Sequence, residues 1–298
     1  MLDVADIEHI LTNILARSSR SPLEITLEAN PGDLTPDKLL ELRQLGINRL
    51  SIGIQSFNDD LLRLIGRRHT AAEARQAVLW AQQAGFDNLS VDLMYGLPGQ
   101  TLDDWSRQIE EVLRLHVQHI STYCLSYEPG TVLTTMLERG EIAETDDDIA
   151  NAMADLLAGQ LAANGYVHYE VSNFALPERE SKHNAAYWDG TPYIGLGAGA
   201  HSYDGNIRSW HKNDVQAYIR ETLAHSLHPE QEVLTDDNKR TERIMLALRT
   251  RRGISVDELP PDRLDEYVQK GLMRIEDNRA VVTREGLHIL NRIIADMI

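Results

Sequence analysis

The chain has 298 residues and only one cysteine, Cys124. One thiol cannot form an internal disulfide, and it cannot supply the several thiolates that hold an iron–sulfur cluster. Because Cys124 stands in an apolar, strand-like segment, we expect its side chain to be a small buried hydrophobe. The scarcity of cysteine therefore argues against a metal centre built from the thiols of this chain.

Long apolar runs and an excess of positive charge are also missing. No run approaches the roughly 20 apolar residues that a membrane-spanning helix needs, and the first residues do not resemble a secretory signal. The 29 basic residues are outnumbered by 46 acidic ones, for a net charge of −17, which disfavours nucleic acids and anionic membranes as partners. We predict a cytoplasmic protein that has no transmembrane segment and binds no nucleic acid; peripheral membrane contact stays open.

Short apolar runs alternate with longer amphipathic segments in the first half of the chain. This pattern predicts strands within 23–29, 48–55, 87–96 and 118–126, joined by helices for which Thr35 and Thr70 are N-caps. Four strand–helix units in series indicate an α/β fold, a partial TIM-like barrel of parallel strands with the helices outside. A helix pattern over 4–16 has no strand pattern before it, so we expect the barrel to be truncated.

The pattern changes after Thr131, and we predict three regions. Residues 1–175 form the truncated barrel, residues 176–235 form a cap or linker segment, and residues 236–298 form a small α+β domain with the element order of a winged helix. This order is usually associated with DNA binding. The last region contains equal numbers of acidic and basic residues, which favours a structural or interaction role instead.

Each of the four predicted strands ends in a polar residue or stretch: Glu28, Gln55, Asp92 and Ser126 to Glu128. Ligands of parallel sheets bind at the carboxyl ends of the strands, so we expect these side chains to share one site. Arg67, in a following loop, could bind a carboxylate with two hydrogen bonds, although a surface arginine is an equally good interpretation.

The stretch "KHNAAYWDGTPYIGLGAGAHSY" combines histidines, aromatic residues and four glycines. One interpretation is a ligand site, in which His183 offers a nitrogen to an iron and Tyr187 and Trp188 offer flat faces to a porphyrin. The other is structural: Asn184 begins a short helix, the aromatic residues fill the core, and the glycines form a tight crossing. Residue types alone favour the second interpretation. His116 and His119, beside a predicted turn, are expected to be solvated.

Six blocks of the sequence resemble one known family: "LEANP", "RLSIGIQSFNDDLLRLIGRRHT", "DLMYGLPGQT", "YCLSYEPGT", "HNAAYW" and "IGLGAGAHS". They are similar to the HemN/HemW family of radical S-adenosylmethionine (SAM) proteins, and the last two resemble its haem-chaperone branch. The resemblance implies a barrel that holds SAM and a [4Fe-4S] cluster. For SAM, it implies contacts at Glu28, Gln55, Arg67 and Asp92. For haem, it implies that His183 is the first candidate for the ligand of the iron and His201 the second. Tyr187 and Trp188 would then lie beside the macrocycle.

The family's cluster motif, three cysteines in C-x3-C-x2-C spacing, has no counterpart in this chain. We therefore expect the chain as given not to assemble a [4Fe-4S] cluster and not to be catalytically competent. The function that the resemblance implies is that of a haem chaperone, which binds haem and delivers it to apo-haemoproteins. The alternative is an oxygen-independent coproporphyrinogen III oxidase.

Overall fold

The computed structural model describes residues 2–18 and 21–298, and strands alternate with helices along the first part of the chain. A first compact unit ends at Ser181 and a second runs from Lys182 to Ile298. The elements of the first unit are α1 (Val4–Leu15), β1 (Thr26–Ala29), α2 (Pro36–Gln44), β2 (Arg49–Gln55), α3 (Asp59–Leu64), α4 (Ala71–Gln83), β3 (Leu89–Tyr95), α5 (Leu102–Arg114), β4 (His119–Cys124), α6 (Val132–Glu138), α7 (Asp147–Ala163), β5 (Val167–Glu170) and β6 (Asn173–Ala175).

The first unit contains one sheet with the strand order β1-β2-β3-β4-β6-β5. Strands β1 to β4 are parallel neighbours, and β6 and β5 extend the sheet in antiparallel register beyond β4. The four parallel strands and their connecting helices confirm the predicted α/β class.

Threonine N-caps begin the helices that connect the strands. Thr35 caps α2, and Thr70 and Thr101 form capping boxes at α4 and α5. In a capping box the threonine side chain and the acidic side chain three residues later satisfy each other's free backbone N–H groups. These caps explain why the predicted helix starts at Thr35 and Thr70 are correct.

The parallel strands have one apolar face, which forms the core of the first unit. Side chains alternate between the two faces of a strand, so Ile52, Val91 and Ile120, which occupy one row of the sheet, all lie on the same side. All three are completely buried. Trp105 of α5 is also fully buried; its indole Nε1 donates to the carbonyl of Met153 in α7 at 2.9 Å.

The second unit contains two three-stranded sheets, ordered β7-β8-β9 and β10-β12-β11. Its elements are α8 (Lys182–Trp188), β7 (His201–Tyr203), β8 (Ile207–Trp210), α9 (Val215–Leu223), β9 (Glu230–Val233), α10 (Asp236–Ala247), β10 (Ile254–Ser255), α11 (Pro261–Gln269), β11 (Met273–Glu276), β12 (Arg279–Val282), α12 (Arg284–Leu287) and α13 (Leu290–Met297).

The C-terminal elements follow the predicted winged-helix order. Strands β11 and β12 pair around Asp277 and Asn278, which both have positive φ, as a tight hairpin turn requires. The predicted last helix is divided into α12 and α13, and the sheet β7-β8-β9 has no counterpart in the prediction. The boundaries predicted at residues 175 and 235 stay predictions.

The expectation that Cys124 is buried is wrong, because its side chain is exposed. The first four residues of β4 are buried and the last two are not. Cys124 therefore lies where the strand leaves the covered part of the sheet, and an apolar pattern alone does not show where this cover ends.

Over residues 2–18 and 21–298, no helix combines the length and the apolar character that are needed to cross a membrane.

We predict that Trp105→Phe lowers the free energy of unfolding by about 1 to 3 kcal/mol, because a buried hydrogen bond and buried ring volume are lost together. Urea unfolding followed by circular dichroism measures this change. Trp80→Phe is the matched control, since Trp80 is only partly buried and its indole donates no hydrogen bond within the described residues. Equal losses in the two variants would contradict the assigned role of the Trp105 bond.

Candidate functional site

The face of the sheet opposite the core is polar. Arg49 and Ser51 alternate with core residues on β2, Ser90 and Asp92 do so on β3, and His119 and Ser121 do so on β4. Glu28 of β1 is in register with Ser51, which is in register with Ser90. The predicted acidic positions are therefore part of a continuous polar surface.

Asp92 is a partly buried carboxylate near the centre of this surface. Burial raises the pKa of Asp92 above the usual range, and the negative charge of Glu28 raises it further. Hydrogen bonds with Ser121 and Ser51 and the positive charge of Arg49 lower it, but by less than burial raises it. The Ser51 hydroxyl donates to Asp92 Oδ1 at 3.2 Å. A ligand that brought a positive charge or hydroxyl donors would stabilise this carboxylate further.

Gly53 makes room for Arg67 and Gln55 at the end of β2. A Cβ atom at Gly53 would lie 3.0 Å from Arg67 Nη2 and 3.0 Å from Gln55 Nε2, tighter than most real contacts. Arg67 Nη2 donates to Asn30 Oδ1 at 2.8 Å and to the Gly53 carbonyl at 2.7 Å. Gln55 has a φ of 67° beside a register shift in the β2–β3 pairing, so the strand ends with its side chain redirected.

The structure brings the four predicted SAM positions into one neighbourhood. The negative charge of Glu28 raises the pKa of Asp92. Burial lowers the pKa of Arg67, and the negative charge of Asp92 opposes part of this lowering. The side chains of Arg67 and Gln55 both lie beside Gly53. Their roles as ligand contacts stay predictions.

Arg49, Ser51 and Asn30 belong to the same neighbourhood, although none of them ends a predicted strand. Arg49 is 4% exposed, and its Nε has no hydrogen-bond partner in the described part of the chain. The period-two alternation of "RLSIGIQ" is the signal that points to Arg49 and Ser51, because both stand on the same side of β2.

His119 was expected to be solvated, which is wrong: it is completely buried. Its Nδ1 lies 2.7 Å from Ser90 Oγ and its Nε2 lies 2.9 Å from the Tyr169 hydroxyl. Burial, with a smaller contribution from the charge of Arg49, lowers its pKa to about 3. His119 is therefore a neutral, doubly hydrogen-bonded part of the polar face.

In the second unit, His183 is exposed in the first turn of α8. The ring of Tyr187, one turn later, stands perpendicular to it with 4.9 Å between the centroids. Helix α8 begins at Lys182 and not at Asn184, and Tyr187 remains 41% exposed, so the structural alternative with a core tyrosine is wrong. Trp188, at the end of α8, is partly buried.

His201, the second histidine candidate, is exposed at the start of β7. Its ring stacks on Trp210 of the neighbouring strand, with centroids 5.9 Å apart and planes inclined by 22°. The Trp210 indole in turn donates to Glu230 at 3.1 Å. Aromatic contacts thus accompany both histidines.

The glycine-rich segment crosses closely over the backbone at His201, as the structural interpretation of this stretch predicted. A Cβ atom at Gly195 would lie 2.1 Å from the carbonyl oxygen of His201, so only glycine fits there. Gly197 and Gly199 have φ values of 118° and 72°, which L side chains rarely adopt. Across the described residues, no group of three histidine, cysteine, aspartate or glutamate side chains could hold a metal ion.

Comparisons with known proteins place these features in a family. Residues 2–112 match the Radical SAM superfamily. The chain is 35% identical over 305 residues to the haem chaperone HemW of Lactococcus lactis subsp. lactis (strain IL1403), covering 98% of this chain and 80% of that protein. This chain belongs to the HemW haem-chaperone family. It is also 35% identical to the HemW protein of Bacillus subtilis (strain 168), over 95% of this chain and 78% of the relative.

The chain is similar in fold to a solved structure, coproporphyrinogen III oxidase (HemN) from Escherichia coli. The TM-score is 0.82, and the match covers 99% of this chain and 74% of that one. At 20% sequence identity this likeness concerns the fold alone. It confirms that the sheet of this HemW family member is built like the barrel of a radical SAM protein.

We predict that Asp92→Asn is more stable than the wild type at pH 7.5. The folded-state pKa of Asp92 is raised, so protonation favours the folded state and ionisation removes that stability as the pH rises. The advantage of the variant should therefore shrink as the pH falls toward the unfolded value of about 3.9. Urea unfolding at pH 4 and pH 7.5 measures both differences.

Asp104→Asn is a control of opposite sign. A hydrogen bond from Thr101 lowers the pKa of Asp104, so this variant should be less stable than the wild type at pH 7.5, with the difference vanishing at low pH. If Asp92→Asn were less stable than the wild type at pH 7.5, as expected for Asp104→Asn, the prediction would be wrong. The serine hydroxyl groups and Arg49 would then lower the pKa of Asp92 by more than burial raises it.

Proposed function

We propose that this chain binds haem through its second unit and passes it to haem-accepting apo-proteins. The observation that carries the proposal is the 35% identity to HemW proteins over nearly the whole chain. The exposed pair of His183 and Tyr187 supports it, because a ligand that is to be handed over needs an accessible site. The cytoplasmic location and the lack of a nucleic-acid partner predicted from composition are part of the proposal.

His183 is the first candidate for the ligand of the haem iron. A neutral imidazole nitrogen is a common haem ligand, and the ring of Tyr187 stands perpendicular to the His183 imidazole. His201 is the second candidate. It is exposed, and its ring makes no hydrogen bond or ion pair with any described residue.

SAM is proposed to bind at the polar face of the first unit. The arrangement fits this cofactor: Arg67 can meet the methionine carboxylate, while Glu28, Gln55 and Asp92 can accept from its amine or ribose hydroxyls. Gly53 keeps the approach to Arg67 and Gln55 open. When bound, SAM would supply a sulfonium charge that favours the ionised form of Asp92.

The residues of this chain do not fit a [4Fe-4S] cluster. Such clusters are held by several cysteine thiolates, and this chain has only Cys124. Although the residue is exposed as a whole, its sulfur is partly shielded from water, and this desolvation raises the pKa of the Cys124 thiol. The charges of Asp147 and Glu144 add to the rise, which disfavours the thiolate form that binds metal. No reaction step through a cluster is assigned to this chain, and the oxidase alternative has no support beyond the shared fold.

We predict that His183→Ala binds haem at least tenfold more weakly, or with a shifted Soret band, while its melting temperature stays within about 2 °C of the wild type. The reason is that an exposed side chain contributes little to folding, whereas loss of an axial ligand changes both affinity and spectrum. Haem titration followed by absorption, together with thermal melts, measures both effects.

His228→Ala is the matched control, because His228 is an exposed histidine of the same unit without a ring contact to a described residue. It should bind haem like the wild type. If His183→Ala also kept the affinity and the spectrum, His183 would be discarded as the ligand, and His201→Ala would be the next variant to titrate.

We further predict that the 298-residue chain, reconstituted anaerobically with iron and sulfide, shows no stable [4Fe-4S] absorption and no reductive cleavage of SAM. One thiol per chain is the reason. Iron and sulfide analysis measures the first outcome, and chromatographic detection of 5′-deoxyadenosine measures the second. A stoichiometric cluster would show that ligands from another chain replace the missing thiolates.

A further inference from the structure

The residue that ends β2 has a strained backbone conformation. Gln55 has a φ of 67°, and the N–H of Ser56 donates to the carbonyl of Ile54 at 2.9 Å. A hydrogen bond between residues two positions apart, closed around a positive φ, is the rarer and more strained form of the γ-turn. Glycine would adopt it without steric cost, yet the chain carries glutamine here. Such a conformation persists only where the surrounding structure holds it in place.

The carbonyl side of this turn is held by a buried histidine. His69, which precedes α4, is 7% exposed, and its Nε2 lies 3.0 Å from the Ile54 carbonyl oxygen. A carbonyl oxygen only accepts hydrogen bonds, so this nitrogen of His69 is the donor. The Ile54 carbonyl therefore accepts from the turn and from His69, which fixes the direction of the peptide group that leads into Gln55.

The other side of the turn is held by a buried glutamine of α5. Gln108 is 3% exposed, and its Oε1 accepts from the Ser56 hydroxyl at 2.9 Å and from the N–H of Phe57 at 3.1 Å. The Ser56 Oγ in turn accepts from the N–H of Asn58, the N-cap of α3, at 3.1 Å. The two residues after Gln55 are therefore tied to α5 through one buried oxygen atom.

This arrangement is costly for stability. The Nε2 of Gln108 is buried and has no hydrogen-bond partner among the described residues, and the positive φ of Gln55 adds strain. Costs of this kind collect at ligand sites, where a side chain must be held in one direction. The side chain directed here is that of Gln55, whose Nε2 lies beside Gly53 together with the guanidinium of Arg67.

We propose that His69 and Gln108 are positioning residues of the SAM site, because they hold the γ-turn that directs the side chain of Gln55 toward the ligand. The inference rests on the proposed binding of SAM at the polar face and extends that site to two buried residues behind it. The alternative is a purely structural role, in which the same hydrogen bonds only connect β2 to α3. The two roles differ in whether a loss of His69 or Gln108 acts through Gln55.

The first test measures the backbone at position 55 without any ligand. Gln55→Gly and Gln55→Ala are compared by urea unfolding, because glycine tolerates a positive φ and alanine does not, while neither carries the amide. In the otherwise unchanged chain, Gln55→Gly should unfold at a higher urea concentration than Gln55→Ala. With Gln108→Met or His69→Leu added, this advantage of glycine should shrink or vanish, because the turn is free to relax to a negative φ.

The second test follows SAM binding by isothermal titration calorimetry. Gln108→Met and His69→Leu should each bind SAM about three- to tenfold more weakly, the loss expected for one misdirected hydrogen bond. In the Gln55→Ala background the same substitutions should change the affinity by less than about twofold, because the side chain that they direct is absent. Gln108→Glu keeps the acceptor and His69→Gln keeps the donor, so these two variants should bind SAM like the wild type.

Gln100→Met is the matched control. Gln100 is 5% exposed, its Oε1 accepts from the N–H of Leu97 at 3.2 Å, and its Nε2 likewise has no partner in the described part of the chain. It is a buried glutamine of the same kind that holds a different loop. Its replacement should lower stability as Gln108→Met does, while the advantage of glycine at position 55 and the affinity for SAM stay unchanged.

Each of three results would overturn the inference. If glycine kept its full advantage over alanine at position 55 in both Gln108→Met and His69→Leu, these side chains would not hold the turn. If the two substitutions weakened SAM binding equally with and without the Gln55 side chain, they would act through the general structure, and the proposed SAM site would stand. If the wild type bound no SAM, the proposed site would fall and the inference with it, even where the turn behaved as expected.

Discussion

The alternation of side chains along β2, β3 and β4 is the constraint on which the first unit depends. Every second residue packs against the helices, and the apolar row of Ile52, Val91 and Ile120 is completely buried. The residues between them must then lie on the opposite face of the sheet. That face carries arginine, serine, aspartate and histidine side chains, so the packing of the core also creates the candidate site.

Polar groups on a covered face are costly unless they find partners. His119 satisfies both ring nitrogens through Ser90 and Tyr169. Asp92 has serine hydroxyls and the charge of Arg49 close by, yet burial still raises its pKa. Burial of Asp92 is therefore only partly compensated by its neighbours, and a cationic ligand would favour its ionised form.

The candidate groups of the second unit differ from those of the first because they are exposed. Aromatic contacts and the backbone hydrogen bonds of a glycine-rich loop fix the positions of these groups. Tyr187 and Tyr193 connect α8 to the edge of β7, and Gly195 allows the loop to lie directly on the strand that carries His201. The glycines thus serve the close approach of one part of the chain to another.

The sequence by itself determined the α/β class, the four parallel strands and the starts of their helices, because period-two apolar runs and threonine caps are local signals. It also placed Glu28 and Gln55 at the ends of β1 and β2, whereas Asp92, expected at a strand end, lies in the middle of β3. Only the tertiary structure decided that Cys124 is exposed, that His119 is buried and that Arg49 belongs to the polar face. Burial depends on what covers a residue from elsewhere in the chain. For the same reason the short strands β7, β8 and β9 were not predicted, since they are defined by their pairing with one another and carry no apolar pattern of their own.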